Sequence, residues 1–387
     1  MRDYKSLAAG VYEYMVSMRR EIHRRPCLTD NERETTEFIA GQMETFGIPY
    51  HIDARDNLIG KIEGRPGRRI ALRADTDALP MLEDTGLPFS SQKEGVMHAC
   101  GHDLHVANLL GTAKVLNENR AELNGTVYVC FQIGEEQSKG AFEVIEYLEK
   151  EGGVDGCFGL HVNPDSPTGT IQSRRGALMS GSSLFEIEVT GTGGHGSTPW
   201  RSLDPIKPAC EMALQIAALP ATRFSAFDPI TINPCAINSG SAGNIIPGKA
   251  YIKGNYRFFR NELYEEIAGA IEAVCEGIAK AYGVTAKLTL SKNHSPPMLN
   301  QDRAFERLQR VLNERGIPFS EIPEPWMGSD NYAEYLKRFG GLYCFGGVTA
   351  KDSPGYPVHN TKFNPDEKAL AVFCETFLAY TDAFLNE

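Results

Sequence analysis

Residues 97–105 contain the side chains best suited to bind a metal ion. They read Met-His-Ala-Cys-Gly-His-Asp-Leu-His, which places three imidazoles, a thiol and a carboxylate within nine positions. Burying such a cluster costs free energy unless each polar group finds a partner. Thiolate and imidazole are good ligands for zinc and similar transition metals. Cys100 and His102, separated by one glycine, therefore predict part of a metal site.

Further candidate ligands follow apolar segments elsewhere in the chain. Glu136 and His161 each come at the end of an apolar run that predicts a strand, and His359 lies in a loop with two prolines. One thiolate, three imidazoles and one carboxylate are too many ligands for a single tetrahedral zinc ion. Together with a shared water they fit two metal ions about 3.5–4 Å apart. The predicted metal ligands are therefore Cys100, His102, Glu136, His161 and His359.

Two adjacent glutamates carry the predicted acid–base chemistry. If the strand continues through Glu135 and Glu136, their side chains point to opposite sides. We assign Glu136 as the metal ligand and Glu135 as the base that activates water and then protonates the leaving amine. The alternative is a pair of solvated loop carboxylates, which the exposure of most glutamates favours. Their place after Gly134, at a strand end, favours the catalytic assignment.

Other polar residues near these motifs have supporting roles. Asp75 is predicted to accept the second N–H of a ligand imidazole, although a cap of the following turn explains this aspartate equally well. Asp103 is interpreted as a favourable negative charge at the start of the next helix. His98 and His105 are interpreted as structural imidazoles with hydrogen-bonded partners.

A second cluster lies in the middle of the chain. His195 has glycines on both sides, within a glycine-rich stretch from 191 to 196. Such backbone freedom can aim an imidazole at an oxyanion that develops on a carbonyl group; the alternative is a glycine-rich loop with an incidental histidine. Asn244 and Arg257 are predicted to bind a substrate carboxylate, since the guanidinium fork matches that anion.

Composition restricts the class of protein. A chain of 387 residues exceeds the usual single core, so two domains are expected. The net charge of −11 argues against binding of a nucleic-acid backbone. No apolar run approaches the roughly 20 residues that span a bilayer. Nine cysteines without a framework spacing favour reduced thiols and a cytoplasmic location.

The order of predicted elements indicates an α/β fold. Helical spacing over 5–24 and 30–46, with Thr29 or Asp30 as a helix cap, precedes alternating strands and helices. This alternation predicts a mostly parallel sheet flanked by helices. Between 181 and 294 the order becomes β-α-β-β-α-β, which is ferredoxin-like. We therefore predict a core domain from 1–180 and 295–387, with residues 181–294 as an inserted domain.

The motifs together resemble one family of enzymes. In order and over nearly the whole chain, they match the group of aminoacylases, hippurate hydrolases and auxin-conjugate (IAA-amino acid) amidohydrolases, which are relatives of the co-catalytic metallopeptidases typified by bacterial carboxypeptidase G. The matching segments are 19–23 (Arg-Arg-Glu-Ile-His), 71–80 (Ala-Leu-Arg-Ala-Asp-Thr-Asp-Ala-Leu-Pro), 98–103 (His-Ala-Cys-Gly-His-Asp), 134–136 (Gly-Glu-Glu), 159–161 (Gly-Leu-His), 193–195 (Gly-Gly-His) and 244–247 (Asn-Ile-Ile-Pro).

The resemblance implies a metal-dependent amidohydrolase that cleaves N-acyl amino acids into a carboxylate and a free amino acid. It implies a catalytic domain that binds two divalent ions, zinc or manganese with nickel or cobalt tolerated, and a lid domain that also mediates dimerisation. The same five residues are implied as ligands, with Glu135 as the acid–base group and His195 reaching the active site from the lid. Alternatives are a dipeptidase or carboxypeptidase on this scaffold, or a non-catalytic protein that binds metal or amino acids.

The chain departs from this family's pattern at two places. Relatives usually read Pro-Glu-Leu-Ser where this chain has Pro-Cys-Leu-Thr at 26–29. They commonly read Gly-Ser-Glu-Asp-Phe where this chain has Gly-Ser-Asp-Asn-Tyr at 328–332. We expect both departures to lie near the substrate pocket, so the preferred acyl group and amino acid stay open.

Overall fold

The computed structural model describes residues 3–292 and 294–387. Residues 1, 2 and 293 belong to the predicted domains but lie outside the described residues. The chain divides into two compact units: the first comprises Met1–Leu178, Met298–Pro325 and Asp330–Glu387, and the second comprises Met179–Pro297 and Trp326–Ser329. The short segment Trp326–Ser329 therefore groups with the second unit and not, as the prediction had it, with the flanking residues.

The helices follow the predicted alternation with strands. In chain order the described residues form α1 (Tyr4–Gly10), α2 (Tyr12–Arg24), α3 (Arg33–Phe46), α4 (His102–Glu118), α5 (Ala141–Lys150), α6 (Ile206–Thr222), α7 (Leu263–Tyr282), α8 (Asp302–Arg315), α9 (Ala333–Phe339) and α10 (Ala369–Leu385). Single 3₁₀ turns lie at Arg120–Glu122, Glu135–Gln137 and Pro199–Arg201.

The strands are mostly short. They are β1 (Tyr50–Ile52), β2 (Leu58–Glu63), β3 (Arg68–Asp75), β4 (Gly125–Gln132), β5 (Cys157–Pro167), β6 (Ile171–Ser173), β7 (Gly176–Met179), β8 (Gly181–Thr190), β9 (Gly194–His195), β10 (Thr231–Ser239), β11 (Ile245–Ile246), β12 (Lys249–Phe258), β13 (Thr285–Leu290), β14 (Met298–Asn300), β15 (Phe319–Glu321) and β16 (Gly341–Thr349).

The first unit is built on an eight-stranded sheet with the order β1-β2-β4-β3-β5-β16-β6-β15. Its central strands β4, β3, β5 and β16 are parallel neighbours, while β1, β2 and β6 pair antiparallel. Helix α4 is buried along nearly its whole length in the same core as these strands. Parallel central strands bring their carboxyl ends to one edge, where open α/β sheets bind ligands. The predicted α/β fold with a mainly parallel sheet is confirmed.

The N-terminal helices differ in detail from the prediction. The helix predicted over 5–24 is interrupted at Val11, and the second helix begins at Arg33 with Glu32 as its cap residue. Neither Thr29 nor Asp30 caps that helix. The Thr29 hydroxyl instead donates to Asp77 Oδ2, and Asp30 has a left-handed backbone with φ 68°. The Thr29 side chain therefore forms a tertiary hydrogen bond and does not cap the helix.

The second unit contains a four-stranded antiparallel sheet with the order β10-β12-β8-β13. Its buried side chains alternate along β8 and β12 and pack against α6 and α7. This is the predicted β-α-β-β-α-β order, with the short antiparallel pair of β9 and β11 added to it. Among residues 3–292 and 294–387, no helix combines the length and apolar character needed to cross a membrane.

Candidate metal centre

The turn before α4 presents two side chains from almost the same point. Gly101 has φ 85°, a conformation that favours glycine, and a Cβ at this position would lie 2.6 Å from Val162 Cγ2. Gly101 therefore allows the close approach of β5 to the turn. Cys100 and His102, on either side of it, are both buried. The Cys100 Sγ lies 3.4 Å from His161 Nε2.

Asp77 orients the imidazole of His102. His102 Nδ1 lies 2.9 Å from the Asp77 carbonyl oxygen and 3.2 Å from Asp77 Oδ1, so the Nδ1–H donates to this residue. His102 Nε2 is then left as an acceptor, and it is buried without a hydrogen-bond partner among the described residues. A buried nitrogen of this kind fits a metal ligand with its other nitrogen fixed by a carboxylate.

Asp75 does not hold this imidazole in the predicted way. Its Oδ2 lies 3.6 Å from His102 Nε2, and its closer partners are His105 Nδ1 at 2.6 Å and Arg73 Nη1 at 2.5 Å. The prediction for Asp75 therefore differs from the structure, in which Asp77 carries this role. Sequence could not separate the two aspartates, because both are fully buried at the end of the same strand.

Glu135 and Glu136 lie on a 3₁₀ turn, since β4 ends at Gln132. The Asp77 carboxylate accepts the backbone N–H groups of both glutamates, at 3.1 Å and 3.0 Å. A carboxylate oxygen of each glutamate lies within 4.8 Å of a nitrogen of His102. The expectation of opposite orientations was wrong, because the strand does not continue and a tight turn brings both carboxylates to one side.

His161 lies inside β5, which continues to Pro167, whereas the prediction placed it at a strand end. Its Nδ1 lies 2.8 Å from the Val162 carbonyl oxygen and donates to it, so Nε2 faces Cys100 as an acceptor. The adjacent His105 accepts the Val162 N–H at its Nε2 and donates from Nδ1 to Asp75. His105 thus has the structural role that the sequence indicated.

His359 reaches the cluster from the C-terminal loop. Its backbone is left-handed with φ 61°, which is uncommon for a residue other than glycine and often marks functional sites. The His359 N–H donates to the Ala99 carbonyl oxygen at 2.7 Å, which fixes the loop beside the Cys100 turn. His359 Nε2 lies 3.3 Å from Glu136 Oε1.

The five predicted ligands come together at this edge of the first unit. The donor atoms of Cys100, His102 and His161 all lie within 4.8 Å of one another, as do those of Cys100, Glu136 and His359. Zinc–ligand distances of about 2.0–2.3 Å allow ligand atoms to be separated by up to roughly this amount. Cys100 belongs to both groups, as a ligand shared by two ions would. His102 Nε2 is buried without a hydrogen bond among the described residues, and Glu136 Oε1 is buried with His359 Nε2 3.3 Å away, so the residues present fit a metal centre.

Charges in the cluster shift several pKa values. Burial raises the pKa of the Cys100 thiol well above its usual range and lowers the pKa of His161 to about 4. Burial, with the neighbouring charges of Asp330 and Glu136, raises the pKa of Glu135. Burial opposes ionisation of Glu136 too, but its contact with His359 and the charge of His102 lower its pKa. The two adjacent carboxyls thus differ in their affinity for a proton, as a base and a ligand would.

The polar residues predicted for substrate binding lie in the second unit. His195 on β9 pairs with Ile245 on β11, and the N–H of Gly196 donates to the Asn244 carbonyl oxygen at 2.9 Å. His195 is exposed, and its Nδ1 accepts the Ser197 N–H at 3.1 Å, which leaves the proton on Nε2. Arg257 on β12 donates to Ser329 Oγ at 3.1 Å, and burial lowers the pKa of its guanidinium.

Sequence reasoning missed residues that support the cluster from behind. Glu32 accepts the Gly134 N–H at 2.7 Å and so fixes the turn that carries the two glutamates. Burial, with the charge of Asp77 next, raises the pKa of Glu32 to about 8. Asp77 also supports the cluster, and the sequence analysis assigned it no role within the matching segment 71–80. Its position just after β3, which ends at Asp75, is the sequence feature that could have indicated this role.

The two departures from the family's pattern are also buried. Asp330 bonds to Arg73 and to the Tyr343 hydroxyl, and Asn331 bonds to Gln132. Cys27 lies with its Sγ 3.3 Å from Lys93 Nζ. The charge of Asp330 also acts on Glu135, and the Thr29 hydroxyl donates to Asp77, so both departures lie beside the candidate site; their place near a substrate pocket stays a prediction.

Comparisons with known proteins place the chain among metallopeptidases. The model of peptidase family M20/M25/M40 matches residues 71–382. An N-acetylcysteine deacetylase of Bacillus subtilis is 34% identical over 94% of this chain and 94% of its own length. The thermostable carboxypeptidase 1 of Saccharolobus solfataricus is 33% identical over 93% of this chain and 92% of its own. A crystal structure of a Bacillus subtilis dinuclear metal-binding peptidase from the M20 family has a TM-score of 0.85 and 31% identity, covering 98% of this chain and 99% of that one.

Proposed function

The chain belongs to peptidase family M20/M25/M40, and from that membership we propose that it is a metal-dependent amidohydrolase. It cleaves the amide bond of N-acyl amino acids and releases a carboxylate and a free amino acid, as the name of the deacetylase relative implies for that protein. The observation that carries the proposal is the meeting of Cys100, His102, Glu136, His161 and His359, among which His102 Nε2 is buried without a hydrogen bond in the described residues, with Glu135 beside them.

The five clustered residues would hold two divalent ions, zinc or manganese, with nickel or cobalt tolerated. Such a pair would supply Lewis acidity toward the substrate carbonyl and toward the attacking water. Cys100 belongs to both groups of candidate ligands and would contribute its thiolate to the centre. Asp77 fixes the His102 ring, and with it the nitrogen that faces the ions.

Glu135 moves the proton in this mechanism. Its carboxylate takes a proton from the attacking water and passes it to the nitrogen of the departing amine. The turn that carries it is held by Asp77 and Glu32, through backbone N–H groups that leave the Glu135 side chain unencumbered. A raised pKa suits this role, because a base that is easily protonated is also able to hold the proton until the amine leaves.

The residues of the second unit are proposed to recognise the substrate. His195 donates its Nε2–H to the carbonyl oxygen as negative charge develops there. Arg257 and Asn244 bind the free carboxylate of the amino-acid part, the guanidinium through its fork of donors. An N-acyl amino acid offers both the carbonyl and the carboxylate that these three side chains require.

A substrate panel tests the proposal. Purified protein with zinc or manganese is incubated with N-acetyl and N-benzoyl amino acids and with dipeptides, and release of free amino acid is measured. Faster hydrolysis of the N-acyl amino acids supports the proposal. Metal-loaded protein that is inert on the entire panel would instead indicate a binding protein that keeps the fold.

A peptidase is the second candidate function. The observation that favours it is the 33% identity to a protein named thermostable carboxypeptidase. A dipeptide and an N-acyl amino acid share the amide and the terminal carboxylate, so the proposed residues serve either one. Hydrolysis of dipeptides alone in the same panel would select this candidate.

The second unit also offers a surface for a second copy of the chain. β10 is an edge strand of its sheet, and exposed edges readily pair with another strand. The neighbouring α6 exposes Leu214 at 73% and Ile206 at 38%, and β10 itself exposes Ile237 at 46%. We therefore propose a two-fold homodimer or a higher homo-oligomer through this unit. Sedimentation at micromolar concentration that shows only monomer would contradict this homo-oligomer.

We also propose that the protein is located in the cytoplasm.

A further inference from the structure

We infer that Arg73 determines which residues bind the metal ions, because it holds the Asp75 carboxylate away from the ligand cluster. The inference rests on the proposed metal-dependent function. It concerns a side chain beneath the cluster that none of the proposed catalytic steps uses. Its role is to exclude a sixth protein ligand.

Asp75 lies where an additional ligand would lie. The residue is fully buried, and its Oδ2 is 3.6 Å from His102 Nε2, the unpartnered nitrogen of a proposed ligand. Donor atoms of Asp75, His102 and His105 all lie within 4.8 Å of one another. Carboxylate oxygens are ordinary ligands of zinc and manganese. By position and chemistry alone, the Asp75 carboxylate is therefore close enough to share an ion with His102.

Both oxygens of Asp75 are engaged elsewhere. Oδ1 accepts from His105 Nδ1 at 2.6 Å, and Oδ2 accepts from Arg73 Nη1 at 2.5 Å. The second bond joins an anion to a cation and is of the strong, charge-assisted kind. It involves the same oxygen that lies nearest to His102. Arg73 thus occupies the oxygen that would otherwise face the ions.

Arg73 is itself held in place by the remaining donors of its guanidinium. Nε donates to Gln132 Oε1 at 3.1 Å, and Nη2 donates to Asp330 Oδ1 and Asn331 Oδ1, each at 3.2 Å. Its side chain is only 2% exposed. A guanidinium presents its five N–H donors in a fixed plane, so a set of acceptors around that plane fixes its orientation.

The acceptors of Arg73 include the residues that depart from the family's pattern. Asp330 also accepts the Tyr343 hydroxyl at 2.5 Å and the Tyr332 N–H at 2.7 Å, so its carboxylate is anchored independently of Arg73. Removal of Arg73 therefore costs Asp75 more hydrogen bonding than Asp330, since among the described residues His105 is the remaining side-chain hydrogen-bond partner of Asp75. An unpaired buried carboxylate is strongly unfavourable. Coordination of a nearby metal ion offsets that cost.

The test is the metal affinity of Arg73→Met, measured by competition with a chelator and without any substrate. We expect the apparent Kd for zinc to fall, with two ions still bound per chain by elemental analysis, and we expect Arg73→Met/Asp75→Asn to return it toward the wild-type value. Loss of a supporting partner of a ligand ordinarily weakens metal binding by roughly 10–100-fold. A weaker affinity in Arg73→Met would therefore overturn the inference.

Arg307→Met is the matched control. Arg307 is a buried arginine of the same unit, bonded to Tyr380 and Glu387. Its loss should lower stability without tightening metal binding. Equal tightening in both variants would show a general effect of removing a buried cation and would contradict the inference.

A second variant keeps the test informative if Arg73→Met fails to fold. Asp75→Asn in the otherwise unchanged chain should bind zinc with nearly wild-type affinity, because Asp75 is not a ligand while Arg73 is present. A loss of roughly tenfold or more, the size expected when a group that supports metal binding is removed, would overturn the inference. These measurements require no turnover. Inactivity of the wild-type protein on the substrate panel would therefore refute the proposed function and leave the inference about Arg73 unaffected.

Discussion

The buried candidate metal ligands and the exposed substrate-binding candidate His195 are held in opposite ways. In the first unit, His102 and Cys100 are buried, and a second ring of carboxylates and backbone groups fixes the imidazoles. In the second unit, His195 is exposed and its contacts are with its own turn, through Ser197. Residues that bind an ion need a fixed geometry before it arrives. Residues that meet a substrate must remain accessible to it.

The two sets of residues also come from different kinds of secondary structure. The predicted ligands come from the turn that opens α4, a 3₁₀ turn, a strand and the C-terminal loop, which meet at one edge of a mainly parallel sheet. The predicted substrate-binding residues lie on β9, just before β11 and on the antiparallel strand β12. A buried donor set can be inferred from chemistry, since few arrangements of thiol, imidazole and carboxylate have another use. An exposed histidine carries much less information.

The largest effect is expected from Glu135→Ala. Loss of the group that moves the proton should lower kcat by roughly 10²–10⁴-fold, while the content of bound metal, measured by elemental analysis, stays unchanged. Glu136→Ala is the matched variant and should lose metal as well as activity. Near-normal turnover in Glu135→Ala would remove this residue from the mechanism.

A smaller loss is expected from His195→Ala. Removal of one donor to an oxyanion typically costs roughly 10²–10³-fold in kcat, and metal binding should not change. Ser197→Ala, which removes only the hydroxyl at His195 Nδ1, serves as the control and should retain most of the activity. If His195→Ala changed KM alone, the imidazole would bind the ground state and would have no special role in the transition state.

Asp77→Asn should weaken metal binding and leave the fold of the second unit unchanged. Loss of a carboxylate that orients a ligand imidazole ordinarily lowers metal affinity by roughly 10–100-fold. Chelator competition measures the change. Asp84→Asn, at an aspartate whose side chain is 72% exposed, is the control. Unchanged affinity in Asp77→Asn would show that the His102 ring is fixed by other contacts.

The smallest effect is expected from Glu32→Gln, and it depends on pH. The folded-state pKa of about 8 lies above the ordinary value of 4.5. The contribution of Glu32 to stability is therefore fully present below about pH 4.5 and is lost as the pH rises through 8. Denaturant unfolding between pH 5 and 8 should show a steeper loss of stability in the wild type than in Glu32→Gln. Parallel pH curves would contradict the raised pKa.

Much of the fold followed from hydrophobic periodicity. The alternation of apolar runs with helical segments gave the mainly parallel sheet, and the change of pattern after residue 180 gave the β-α-β-β-α-β unit. The five proposed ligands were selected by their chemistry, and the structure brings them together. The family suggested by the motifs is confirmed by the match over residues 71–382.

The remaining errors arose where tertiary contacts decide local structure. The 3₁₀ turn at Glu135 depends on N–H groups that donate to Asp77, which is distant in sequence, so no local pattern predicted this turn. Asp75 and Asp77 are both aspartates beside the same strand end, and tertiary contacts separate their roles: Asp75 bonds to Arg73 and His105, whereas Asp77 bonds to His102. The partners of Asp330 and Asn331 could not be predicted either, because the buried guanidinium of Arg73 that they accept from is distant in sequence.

The contact between His359 and Ala99 has a consequence for how the protein matures. Protein synthesis proceeds from the N-terminus, so Cys100, His102, Glu136 and His161 all leave the ribosome well before His359 does. Until the later segment folds back beside the Cys100 turn, a growing chain has only four of the five proposed ligands in place. The proposed donor set is therefore completed late, after translation has passed this loop.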